Sequence, residues 1–176
     1  MLHAFDGATG KEQWAYIPPM VMNNLYRLAS EDYPTNHRYY VDGTPTVADI
    51  CPNAPASTCT GTQWKTILVA GLNGGGRGYY ALDITDPANP IALWNYTVAD
   101  QANLGDTYGN PVIAKRKDNC TTLSGVTTCT GGTWVVAFTS GYNNVSPGDG
   151  KGHLFILNAY TGAPLENCLL YTSRCV

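Results

Sequence analysis

The sequence predicts an all-β chain, a partial β-propeller of about two and a half four-stranded blades with one short helical insert, and three observations carry that prediction. Residue types repeat at a fixed distance: Cys59 to Cys129, Trp64 to Trp134 and Gly71 to Gly141 are each 70 apart. The repeated stretches are short runs of β-branched and aromatic residues bounded by Gly and Asn, the pattern of strands buried on both faces. Of the 176 residues, 44% are hydrophobic and only 13% charged, and 19 Gly with 11 Pro suit a chain of many turns. A four-stranded meander recurring in tandem is the blade of a propeller, whose flat faces bury one another around an axis.

Residues 2–6 and 13–17 read as two strands, half a blade within 1–18. Between them, residues 4–14 carry the Ala-x-Asp-x-x-Thr-Gly-x-x-x-Trp turn of quinoprotein-type propellers. Asp6 and Thr9 can cap this turn, Gly10 can take a positive φ, and Trp14 opens the outer strand and packs between blades. An insert, 19–43, follows the Pro18-Pro19 break, and Val21, Leu25 and Leu28 at i, i+4 and i+7 predict a short helix within 20–30. Read as a lid, a ligand loop or a metal pair it has little support, so a structural cover on a face or edge is expected.

A full blade, 44–97, has strands at 44–50, 64–70, 79–84 and 91–96, with Asp83 and Trp94 as a stretched copy of the turn. A partial blade, 109–165, has strands at 110–116, 134–139 and 153–159, and Asn158, Thr161 and Gly162 form a third copy with Asn in place of Asp. In both blades a Gly- and Asn-rich segment, 73–78 or 143–152, joins the second strand to the third.

Both ends read as cut, because strand pattern begins at once and the last blade stops at its third strand near Ala159. The chain is therefore expected to be part of a longer propeller, and its uncovered blade faces predict poor solubility or self-association. The native domain is placed at 1–167. Residues 168–176 lack strand and turn logic and back-translate to abutting transposon-end sequences used in library preparation, so they are read as adapter read-through.

Four of the six cysteines lie within the native domain, in two local pairs, Cys51 with Cys59 and Cys120 with Cys129. Their equivalent places in successive repeats favour two structural disulfides over free thiols or zinc, for which the spacing is too wide and no His is near. Each would contribute about 2–3 kcal/mol in the chain-entropy model and implies an oxidising compartment.

Several function classes are excluded. Ten Lys plus Arg, scattered in a chain of net charge −3, give no basic face for nucleic acid, and no apolar run is long enough to span a membrane. The Asn73–Gly78 glycine loop lacks the Lys and helix start of a phosphate site, and residues 143–151 hold too few carboxylates for a calcium cage. His3, His37 and His153 assemble no catalytic set, so no catalytic or cofactor-binding residue is assigned.

The opening Leu-His-Ala-Phe-Asp6, Trp14-Ala-Tyr-Ile-Pro-Pro19, residues 37–45 and above all the Gly-Gly-Gly-Arg-Gly-Tyr-Tyr-Ala-Leu-Asp83 run resemble the β-propeller domain of the PilC/PilY family of type IV pilus adhesins. The resemblance implies a non-enzymatic role in pilus biogenesis and adhesion at the cell surface, pilus tip, outer membrane or periplasm. It implies pilins or minor pilins as partners, with a host or abiotic surface as target. It also implies calcium in the full-length parent, although the family's Asp-rich loop has no counterpart here. The alternative is a fragment of a pyrroloquinoline-quinone dehydrogenase propeller, which would need an adjacent cysteine pair that the sequence lacks.

Overall fold

The computed structural model describes residues 1–52 and 59–169. The half blade is a hairpin of β1 (Leu2–Phe5) and β2 (Glu12–Tyr16). A four-stranded meander follows in chain order, β3 (Thr46–Ile50), β4 (Lys65–Gly71), β5 (Gly78–Asp83) and β6 (Ile91–Thr97). In the next blade, β7 (Val112–Lys115) is followed by a separate hairpin, β8 (Asp118–Leu123) with β9 (Val126–Gly131). The meander then resumes with β10 (Trp134–Thr139), β11 (His153–Asn158) and β12 (Pro164–Leu169). The first strands of the two blades, β3 and β7, approach each other, so the sheets fan out from that side.

The period of two decides the packing. Along β4 and β5, Ile67, Val69, Tyr79 and Ala81 face the following blade and pack with Val136, Phe138, Phe155 and Leu157. Their neighbours Leu68, Ala70, Tyr80 and Leu82 face the other way, toward Leu2, Trp14 and Tyr16 of the half blade and Met20 and Val21 of the insert. Every residue of β5 is buried as a result. Burying a large apolar side chain contributes about 1.5–3 kcal/mol, so the Tyr-Tyr-Ala-Leu run stabilises two interfaces at once.

The signature turns join the blades. Asp6 Oδ1 accepts from the backbone N–H groups of Ala8 and Thr9 and from the Thr9 hydroxyl, and Gly10 closes the turn onto the Asp6 carbonyl. Asn158 Oδ1 accepts from Tyr160 and Thr161 in the same manner, and Gly162 closes onto the Asn158 carbonyl. In the stretched copy, Asp83 accepts from Thr85 N–H, while Asp86 caps the added residues through Ala88 and Asn89. The Trp14 indole donates to the Pro87 carbonyl at 2.8 Å, and the Trp94 indole donates to the Ala159 carbonyl at 3.0 Å. Each tryptophan thus bonds to the corresponding turn of the blade that follows it.

Three features differ from the sequence reading. The helix expected within 20–30 is only α1 (Pro19–Met22), followed by a 3-10 turn at Leu25–Ala29. Asn23 and Asn24 have low helix propensity, and Leu28 is exposed, so no continuous apolar stripe supports a longer helix. The polar loop between β7 and β10 contains the β8–β9 hairpin. The last blade has a fourth strand, β12, beyond the third at which the sequence reading stops. Of the stretch read as adapter-derived and without strand pattern, Cys168 and Leu169 complete β12 opposite Leu154 and His153, and residues 170–176 lie outside the described residues.

Two predictions follow from the joints. Gly10 and Gly162 share the same left-handed backbone, φ 70° and 71°, but a Cβ at Gly162 would lie 2.5 Å from Trp94 Cγ, whereas one at Gly10 meets nothing within 4 Å. Gly10→Ala should cost about 1–2 kcal/mol in denaturant unfolding and Gly162→Ala about 1–3 kcal/mol more; equal losses would contradict the tryptophan joint. Burial tends to raise the Asp83 carboxyl pKa, but Thr85 and Lys65 outweigh it and hold the group below the usual carboxylate range. Its contribution is present above about pH 4 and is lost as pH falls through the lowered value. The stability gap between wild type and Asp83→Asn should therefore shrink on acidification from pH 7 to 3, and a constant gap would overturn the assignment.

Candidate functional site

In a meander, successive connections leave at alternate ends of the sheet. The signature turns, with Asp6, Thr9, Gly10, Asp83, Asn158, Thr161 and Gly162, and the cysteine-bearing connections all leave at one end, the turn end. Cys51 is bonded to Cys59 and Cys120 to Cys129. Trp14 and Trp94 bind those turns from the neighbouring blade. The residues singled out from sequence thus gather on one side, where the tryptophans and signature turns join the blades and the disulfides close the long connections.

The opposite, loop end brings together the β4–β5 and β10–β11 loops, the 98–111 connection and the insert. The insert lies directly on the glycine run: a Cβ at Gly75 would strike the Tyr40 carbonyl, and one at Gly78 the Met20 sulfur. Asn73 Nδ2 also donates to the Asp42 carbonyl at 3.3 Å, and the Tyr40 hydroxyl donates to the Asn24 carbonyl at 3.0 Å. The glycines are therefore needed for close backbone packing, and a phosphate has no part in explaining them.

Arg77 leaves that run and crosses to the next blade. Its Nη1 donates to the Ser146 carbonyl and its Nη2 to the Asn143 carbonyl, both at 2.6 Å, with Asp106 at 3.9 Å from Nε. Asp106 and Tyr142 exchange two backbone hydrogen bonds, and Asn144 Nδ2 donates to the carbonyls of Asn103 and Lys151. The buried Thr107 hydroxyl accepts from Leu72 N–H at 2.9 Å and lies beside the carbonyls of Gly76 and Gly78. The Tyr79 hydroxyl, its pKa raised by burial, donates to the Gly109 carbonyl. Loops from two blades and their connection are thereby locked into one surface. On it Tyr39, Tyr108 and Tyr142 stand 59%, 56% and 71% exposed.

The three histidines do not come together. His3 meets Glu12, His37 lies between the rings of Tyr33 and Tyr39, and His153 meets Asp149, three separate places. Among the described residues, no three His, Cys, Asp or Glu side chains converge as metal ligands. Two carbonyls of the 143–151 loop already accept from Arg77, so the residues here do not fit the calcium ion that the resemblance implies for the parent. Sequence reasoning missed Arg77, Asp106 and Thr107 as organisers. An arginine isolated in a glycine run was the available signal, but its targets are 66 and 69 residues away.

Removing the guanidinium should loosen one loop selectively. Arg77→Met loses two charge-assisted hydrogen bonds, about 1.5–3 kcal/mol each, and should make residues 143–149 the first site of limited proteolysis. Arg77→Lys should restore little, since an ammonium cannot fork to both carbonyls. Unchanged cleavage in Arg77→Met would contradict the clamp.

Comparison with known proteins agrees with the geometry. The family model for the PilY1 beta-propeller domain matches residues 1–167. A type IV pilus biogenesis factor PilY1 homolog of Xylella fastidiosa is 38% identical over 92% of this chain and 11% of its own length. The type IV pilus biogenesis factor PilY1 of Pseudomonas aeruginosa strain PAO1 is 35% identical over 93% of this chain and 12% of its own. The crystal structure of the Pseudomonas aeruginosa PilY1 C-terminal domain superposes with a TM-score of 0.65 at 30% identity, covering 99% of this chain and 29% of that one. The chain spans about a tenth of the length of these curated relatives. It belongs to the PilY1 β-propeller family.

Proposed function

We propose that this chain is a non-enzymatic module of type IV pilus biogenesis, a rigid propeller segment that meets pilin or minor pilin partners with its loop end. The reading draws on relatives named as type IV pilus biogenesis factors. The single observation that carries it is the set of exposed tyrosines Tyr39, Tyr108 and Tyr142 on loops locked by inter-blade hydrogen bonds. Exposed aromatic rings on a preorganised frame provide contact area at little entropic cost and are the usual anchors of protein interfaces. Attachment to a host or abiotic surface is the second role of this end. Disulfides at the opposite end suit an oxidising compartment, the periplasm, outer membrane or pilus tip. The quinoprotein alternative has nothing to support it: the chain has no adjacent cysteine pair.

The test uses the full-length parent in its piliated host, with Tyr39, Tyr108 and Tyr142 all replaced by Ser. Surface pili and attachment should fall several-fold while the protein is exported at its normal level. Normal piliation and attachment in that variant would remove the loop end as the contact surface. Quinone-dependent dye reduction by the purified parent would overturn the non-enzymatic reading.

A further inference from the structure

The β8–β9 hairpin stands outside the blades and buries almost nothing. Its core sequence, Cys120-Thr-Thr-Leu-Ser-Gly-Val-Thr-Thr-Cys129, turns at Ser124 and Gly125, both at positive φ as a two-residue hairpin turn requires. The register pairs Leu123 with Val126, Thr122 with Thr127 and Cys120 with Cys129. Leu123 and Val126 at the tip are 73% and 65% exposed, and Thr121, Thr122, Thr127 and Thr128 are exposed as well. A two-stranded hairpin without an apolar face to bury is marginal in water. Its order therefore rests on the cross-strand disulfide and on the base.

The base is tied separately. Arg116 Nε donates to Asp118 Oδ1 at 2.6 Å and Arg116 Nη1 to Glu166 Oε1 at 2.8 Å, while Asp118 Oδ2 accepts from Thr133 N–H at 2.6 Å. Asp118 thus anchors the hairpin to β12 and to the start of β10, and a change beyond it need not reach the blade. The two disulfides also differ in setting. Cys120 is exposed and Cys129 half-buried, whereas Cys51 is 1% exposed, follows the fully buried Ile50, and is bonded to a half-buried Cys59, so only the Cys120–Cys129 bond has an exposed sulfur-bearing residue.

We propose that Cys120–Cys129 is a site of selective reduction by a dithiol reductant, and that opening it melts the β8–β9 hairpin while the blades stay folded. A thiolate of the dithiol attacks Sγ of the exposed Cys120, forming a mixed disulfide and releasing Cys129 as a thiolate, which takes up a proton. The second thiol of the reductant then attacks its own sulfur in the mixed disulfide and frees the Cys120 thiolate, which is protonated in turn. Two electrons and two protons pass to the protein, and the dithiol ends as a disulfide. The state of this bond thereby sets whether the Leu123–Val126 tip is presented in a fixed shape.

The test titrates the native chain with dithiothreitol, traps thiols with iodoacetamide, maps the labelled peptides and follows amide hydrogen exchange. Cys120 and Cys129 should become labelled at reductant concentrations that leave Cys51 and Cys59 bonded. Protection across 119–130 should fall at least tenfold while β4, β5, β10 and β11 keep theirs. Simultaneous opening of both bonds would overturn the proposal, as would opening without loss of hairpin protection. Without reductant, a Cys120→Ser/Cys129→Ser chain should show the same local loss; wild-type protection there would contradict it, and if that variant does not fold, the reductant titration on the native chain decides.

Discussion

The stack of Tyr79 on Phe138, ring centroids 4.0 Å apart and 28° from parallel, fixes the spacing on which the rest of the molecule depends. Tyr79 comes from the third strand of one blade and Phe138 from the second strand of the next, so the contact sets the distance and angle between two sheets. Tyr96 and Phe155 close round the Phe138 ring, and the aliphatic side chains of β4 and β10 complete the seam. The tyrosine hydroxyl extends the seam to the loop end by bonding to Gly109. With the sheets so placed, a guanidinium on one hairpin can reach two carbonyls on its neighbour.

The two ends of the sheets use different chemistry. At the turn end the same joint is built twice, an indole N–H donated to the carbonyl of the next blade's turn, with Gly162 leaving room for the ring. The third copy departs from the pattern: four residues after the turn glycine, β12 has Glu166 where β2 has Trp14. The carboxylate pairs with Arg116 and helps hold the base of the β8–β9 hairpin. The loop end instead depends on long-range polar bonds between irregular segments, which leaves its tyrosines free to face outward.

Much of this is legible in the sequence, for identifiable reasons. The 70-residue offset and the runs around Trp64, Tyr79, Trp134 and His153 reveal the strands; burial on both faces, which demands uninterrupted apolar residues, holds for β4 and β5, whereas β11 alternates between buried and half-buried positions because no further blade covers its second face here. The Asp6 and Asn158 turns are legible because each is a local hydrogen-bonding unit. β12 is harder to read, since an outer strand beginning with Pro164 and carrying Glu166 and Asn167 has no apolar alternation. The β8–β9 hairpin was open to detection through the alternation on either side of Ser124-Gly125, but its Thr-rich composition reads equally as loop. Arg77 stands out in its glycine run, but its reach to the next blade was not legible, because its partners are backbone carbonyls, which no residue type announces.

The central claim is that the seam between the two full blades is the stable unit and that it holds the loop end in place. Native-state hydrogen exchange on Phe138→Leu compared with wild type tests this most directly, because the change keeps an apolar side chain but removes the ring stack. The account predicts faster exchange both in β4, β5, β10 and β11 and, away from the substitution, in the 105–109 and 140–149 loops, with the β1–β2 hairpin little changed. Loops that keep wild-type protection while the strands lose theirs would show that the loop end is organised independently of the seam, and would contradict the account.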